Sequence, residues 1–160
     1  MSKSKVRAVP EGFHTITPHL VIRGATAAIE FYKKAFGAKQ IMSMPGPGGK
    51  VMHAELKIGD SIFFLADESP DMGSHAPAPG SSSPVVLNLH VEDCDKIFNQ
   101  AVAAGAKVQM PPADMFWGDR YAKFSDPFGH NWAVATHIED VPEAEMPKRL
   151  EEAMKHFGKK

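Results

Sequence analysis

Cysteine is nearly missing from this chain. Cys94 is the only one among 160 residues, which excludes an intrachain disulfide and points to a reducing compartment. It stands between Asp93 and Asp95, whose charge raises a thiol pKa, so it reads as a small buried filler rather than a nucleophile. An excess of either charge is missing too. Eighteen Lys and Arg against 19 Asp and Glu leave a formal net charge of −1, with the basic residues scattered. That distribution gives a nucleic-acid partner no electrostatic support, and the one basic cluster, Lys3, Lys5 and Arg7, belongs to a solvated leader. No stretch approaches the roughly 20 apolar residues of a membrane span, and the opening Met-Ser-Lys-Ser-Lys has no apolar signal core. The expectation is a cytoplasmic protein whose partner is neither membrane nor nucleic acid. Gly46-Pro47-Gly48-Gly49-Lys50 lacks the Gly-x-x-x-x-Gly-Lys-Ser/Thr spacing of a phosphate loop, and no Ser–His–Asp grouping is identifiable from spacing.

What is present is repetition. Ile16-Thr17-Pro18-His19-Leu20-Val21-Ile22 alternates as a strand, and Ala25 to Phe36 then switches to helical spacing and stops at Gly37-Ala38-Lys39. Val85-Val86-Leu87-Asn88-Leu89-His90-Val91 repeats the strand, and Asp93 to Ala104 repeats the helix, stopping at Gly105-Ala106-Lys107. After the first helix, Lys39 to Met44, Val51 to Ile58 and Ser61 to Ala66 read as strands separated by Gly/Pro-rich and Gly59-Asp60 turns. After the second, strands are predicted over 107–110, 119–125 and 130–137, with a loop through Pro111-Pro112 to Gly118 and a turn at Asp126-Pro127-Phe128-Gly129.

The order strand–helix–strand–strand–strand, twice over, predicts an α+β fold. Two βαβββ modules form a shared, curved eight-stranded mixed sheet around a concave cleft, since neither module buries a sheet face alone. The expected divisions are a leader over 1–12, modules over 13–68 and 85–138, a flexible Pro/Ser/Gly-rich linker over 69–84, and a C-terminal helix within 139–160. The helix stripe of Met146, Leu150, Met154 and Phe157 reads as a face packed on its own domain or on a partner subunit.

Ala28-Ile29-Glu30-Phe31-Tyr32 ending at Phe36-Gly37, together with Asp126-Pro127-Phe128-Gly129-His130, resembles the vicinal-oxygen-chelate superfamily of glyoxalases, bleomycin-resistance proteins and extradiol dioxygenases. Met52-His53-Ala54-Glu55-Leu56, Gly118-Asp119-Arg120 and the Trp132 strand look like its PhnB-like branch. The resemblance covers roughly residues 14–138 and implies a divalent metal held at four positions, on the first and last strands of each module. Carried onto this sequence, those positions are Thr17, Phe64, Val86 and Ala133. None is a competent ligand for a divalent cation, so the expected cofactor is none. The alternative is an ion such as Zn, Ni, Mn or Fe in a displaced site drawn from His19, His90 and Glu55, with the face carrying Glu55 left open. His53, His75, His130, His137 and His156 read as turn, edge or surface residues.

The resemblance therefore implies two readings. One is a bleomycin-resistance-like protein that binds a small molecule in an apolar cleft without the family's metal site. The other is a metal-dependent lyase or dioxygenase of the glyoxalase type, so whether the chain is an enzyme stays open. The ligand-binding candidates are Thr17, His19, Phe64, Val86, Asn88, His90, Phe116, Trp117, Arg120 and Ala133. Trp117 offers stacking and Arg120 a fork of donors for an anionic or carbonyl group; equally, Phe116 and Trp117 fit a dimer contact, with Arg120 paired to Asp119 or Asp126. The expected partner is a small molecule, and the expected assembly a homodimer.

Overall fold

The computed structural model describes residues 6–157. Their elements run β1 (His19–Ile22), α1 (Ala25–Phe36), β2 (Lys39–Pro45), β3 (Val51–Ile58), β4 (Ser61–Asp67), β5 (Val86–His90), α2 (Cys94–Ala104), β6 (Lys107–Asp114), β7 (Asp119–Ser125), β8 (Asn131–His137) and α3 (Met146–Phe157). The chain divides between Ser81 and Ser82 into two units. Each holds one α+β module, and the eight strands form two four-stranded mixed sheets, ordered β1-β4-β3-β2 and β5-β8-β7-β6. In both, the first strand lies parallel to the last while the other pairings are antiparallel.

Each module buries one sheet face against its helix. In α1, Ala25, Ala28, Ile29, Tyr32, Ala35 and Phe36 recur at helical spacing and are all buried. They meet Leu20, Ile22, Ala54, Leu56, Phe63 and Leu65, and the Tyr32 ring stands edge-on to Phe63 at 5.5 Å. Gly37 ends the helix in the left-handed region at φ 64°, and its N–H donates to the Lys33 carbonyl. In the second module Cys94, Phe98 and Ala101 of α2 face Ala122, Phe124, Trp132 and Val134, with Phe98 at 6.2 Å from Phe124. Each fully buried large side chain contributes about 1.5–3 kcal/mol, so these two clusters outweigh any surface ion pair.

A last-strand side chain ties down each helix start. Asp67 accepts from the backbone N–H of Gly24 and Ala25, both at 3.0 Å, and of Val51 at 2.8 Å. Burial opposes ionisation of Asp67, but those three donors outweigh it and hold the carboxyl below its ordinary range. Thr136 takes the same place in the second module, accepting from Cys94 N–H at 2.8 Å and donating to the Val91 carbonyl at 2.9 Å. Asp93 adds a conventional cap, its carboxylate accepting from Lys96 N–H at 2.9 Å.

Element limits depart from expectation most in two places. The first strand is shorter than the alternating run, beginning at His19, where β1 first finds a partner in β4. The expected loop at Pro111-Pro112 is instead the continuation of β6 to Asp114. A proline is tolerated there because β6 is an edge strand, and its register against β7 shifts between Val108 and Met110 and again before Ala113. Between the modules, Pro70–Met72 forms a short 3-10 turn and Ser69 bridges Ser74. A 3-10 turn over Glu143–Glu145 leads into α3, whose Leu150, Met154 and Phe157 are exposed.

Candidate functional site

The sheet face away from each helix carries His19, Phe64, Val86, Asn88, His90 and Ala133, and strand register decides which of them meet. In the first module His19 pairs with Phe64, Phe64 with Glu55, and Glu55 with Met42, so these four form one row across the sheet. Alternation sends Leu20, Phe63, Leu65, Ala54 and Leu56 to the helix side. The Phe64 ring lies 4.7 Å from His53, 5.8 Å from Phe13 and 6.1 Å from His19. His19 and His53 stand edge-on at 6.2 Å, and His53 Nε2 is 3.4 Å from Glu55 Oε1. Burial, and then the nearby His53, lowers the pKa of His19. Thr17 lies two residues before His19 and is half-buried.

Glu55 therefore shares the face of His19, which the sequence left open. His53 corrects the expectation of a turn, edge or surface residue, because it is half-buried beside Phe64 in an interior strand. His130 closes the turn that begins at Asp126, as expected, and is buried there at 8% exposure.

In the second module the corresponding row is Asn88, Ala133, Lys123 and Met110. The rows beside it are His90, Ala135, Tyr121 and Ala113, and Val86, Asn131, Ser125 and Lys107. Ala133 and Ala135 are fully buried, while Asn88 and His90 are exposed and their side chains meet at 3.3 Å. Trp117 reaches this group through Tyr121 at 5.5 Å, and Phe116 stands edge-on to Trp117 at 5.1 Å. Its indole N–H donates to Asp119 at 3.0 Å, and Asp119 also meets His137 at 2.8 Å.

Arg120 is not brought to this group. It alternates to the α2 side, where Nε and Nη2 donate to Asp95 and Nη1 donates to Asp114 at 2.9 Å. Those hydrogen bonds raise the Arg120 pKa, and Arg120 in turn lowers that of Asp95. Neither Asp119 nor Asp126 is its partner. Burial pushes the Cys94 thiol up to about 11, with Asp95 adding and Arg120 opposing, which suits a filler rather than a nucleophile.

Asp126 explains the turn that carries the sequence resemblance. It is 5% exposed, and its Oδ1 accepts from Phe128 N–H at 2.9 Å and His130 N–H at 3.0 Å. Its Oδ2 accepts from the buried Trp132 indole at 2.9 Å. One carboxylate thus shapes the β7–β8 turn and fixes the largest core side chain beneath the site.

The residues present do not fit the metal that the resemblance implies. Thr17 offers one neutral hydroxyl; Phe64, Val86 and Ala133 offer no donor atom. Among the described residues no group of three or more His, Cys, Asp or Glu converges to hold an ion.

Comparison with known proteins matches these features. The family described as Glyoxalase/Bleomycin resistance protein/Dioxygenase superfamily matches residues 12–134. Over 129 residues the chain is 42% identical to Mb0911c of Mycobacterium bovis, spanning 79% of this chain and 85% of that protein. It is 30% identical over 115 residues to the anthracycline biosynthesis protein DnrV of Streptomyces peucetius, covering 68% of this chain and 41% of DnrV. Among solved structures, TioX from Micromonospora sp. ML1 superposes with a TM-score of 0.63 at 25% identity, covering 79% of this chain and all of that one.

Proposed function

The chain belongs to the glyoxalase/bleomycin resistance/dioxygenase superfamily, and from that premise we propose that it binds a small, flat or aromatic molecule on the helix-free faces of its sheets, without the family's metal. The observation that carries this reading is Phe64. At a position where the resemblance expects a metal-binding side chain, a half-buried phenyl ring is surrounded by the rings of Phe13, His19 and His53. Such a cluster offers stacking and edge contacts to a π-system rather than lone pairs to a cation. The similarity to an anthracycline biosynthesis protein supports an aromatic ligand. A metal-dependent lyase or dioxygenase needs a donor set that the described residues do not assemble.

The reading extends to assembly and location. A homodimer is supported by the exposed Leu150, Met154 and Phe157 of α3, and a cytoplasmic location by the single, free and buried Cys94. No described helix is long and apolar enough to cross a membrane. Placement in the PhnB-like branch is supported by the Met52–Leu56 and Gly118–Arg120 motifs.

The test is a thermal-shift screen of aromatic compounds in the presence of a chelator. Binding in excess over Kd raises the melting temperature, since a hundredfold excess stabilises by about 2.7 kcal/mol. The expected result is stabilisation by aromatic compounds that persists with chelator and weakens in Phe64→Ala. Stabilisation that requires added metal, or none from any aromatic compound, would overturn the proposal.

A further inference from the structure

Lys123 is the unusual residue of the second module. It lies on β7, an interior strand, facing away from α2. Its cross-strand neighbours are Ala133 and Met110, and its same-face neighbours along the strand are Tyr121 and Ser125. A lysine in mid-sheet is stabilised by an opposite charge directly across or on the diagonal. Here its own row and the rows on either side contain no carboxylate.

The carboxylates of the neighbouring strands are engaged elsewhere. Asp114 pairs with Arg120 on the α2 side, and Asp119 is held by Trp117 and His137. Among the described residues Lys123 forms no ion pair, although it is half-buried. The equivalent position in the first module carries the opposite charge, Glu55, which has His53 beside it.

The surroundings of Lys123 suit a ligand. Ala133 and Ala135 are small and fully buried beneath their neighbours, so the side chains that a ligand meets on this face are those of Lys123, Tyr121, Asn88 and His90. Tyr121 and Trp117 provide an aromatic wall, and the exposed Asn88 and His90 stand beyond the buried alanines on β5. We infer that Lys123 anchors the oxyanion of an aromatic carboxylate laid against Tyr121 and Trp117. This rests on the small-molecule reading above and names the chemical class that its second face takes. An ammonium with no carboxylate partner among the described residues gains most from a ligand that supplies the counter-charge, and a charge-assisted hydrogen bond is the strong kind.

The experiment titrates the full chain with salicylate, 1-naphthoate and 4-hydroxycinnamate, each beside its methyl ester, in the wild type, Lys123→Met and Lys123→Arg. Calorimetry reads affinity, and melting temperature confirms that each variant folds. At least one acid is expected to bind the wild type roughly tenfold more tightly than its ester, the scale of one charge-assisted bond. Lys123→Met is expected to bring the acid down to the ester, leave ester binding unchanged, and regain the preference in Lys123→Arg. If acid and ester bind the wild type alike, or the preference survives Lys123→Met, the anchor is wrong while the small-molecule reading stands. If no acid and no ester binds, both fall.

Discussion

In the first module the row across the helix-free face reads His19, Phe64, Glu55 and Met42; in the second the same row reads Asn88, Ala133, Lys123 and Met110. Strand order, parallel and antiparallel pairings and the helix-tying residue of the last strand agree between the two. The rows differ where a ligand would lie. At one centre a half-buried phenyl ring stands beside a carboxylate, at the other a fully buried methyl beside an ammonium. Duplication has kept what holds a βαβββ unit together and exchanged what its face presents, as the scaffold depends on the helix side of the sheet and the face does not.

The sharpest difference between the scaffolds is the turn joining the last two strands, where the largest effect is expected. Asp126→Ala leaves the Trp132 indole and the Phe128 and His130 N–H groups without their acceptor, at a cost of about 3 kcal/mol. Asp60, in the Gly59-Asp60 turn of the first module, accepts from its neighbour Ser61 and from its own backbone N–H, and Asp60→Ala is expected to change little. Urea unfolding of both variants measures the contrast, and equal losses would break it.

A smaller effect probes the shared feature. Asp67→Asn and Thr136→Ala each weaken a helix start, by about 1–2 kcal/mol on the scale of lost caps. Their pH dependence differs in sign-determined fashion. Asp67 has a lowered folded pKa, so its contribution is present above the unfolded value near 4 and is lost as pH falls through the lowered folded value. The gap between wild type and Asp67→Asn is therefore expected to close in acid, while the Thr136→Ala gap stays constant. Denaturant midpoints across that range check both, and parallel behaviour would show that the Asp67 tie does not depend on its ionised carboxylate.

Periodicity made much of this scaffold legible. Ala25–Phe36 and Val51–Ile58 have the limits that their spacing predicts, because each presents an uninterrupted apolar face. Alternation along each strand also sorts its side chains into two faces. What alternation does not carry is register between strands, and the row joining His19, Phe64 and Glu55 is a fact of register. Lys123 has no signal in the sequence for that reason: its distinction lies in neighbours that are distant along the chain. Arg120 reads as a ligand contact from its loop aromatics, yet it stands one residue out of phase with Tyr121 and so turns toward Asp95. Two consecutive prolines read as a break in β6, whereas an edge strand with shifted register accommodates them.

Metal content of the purified, untreated chain, measured by elemental analysis after dialysis, tests most directly whether the exchange at Thr17, Phe64, Val86 and Ala133 has removed the family's ion. The expected result is far less than one equivalent of Zn, Ni, Mn or Fe per chain, with aromatic ligands still bound. One equivalent that survives dialysis, and whose removal abolishes ligand binding, would contradict the account.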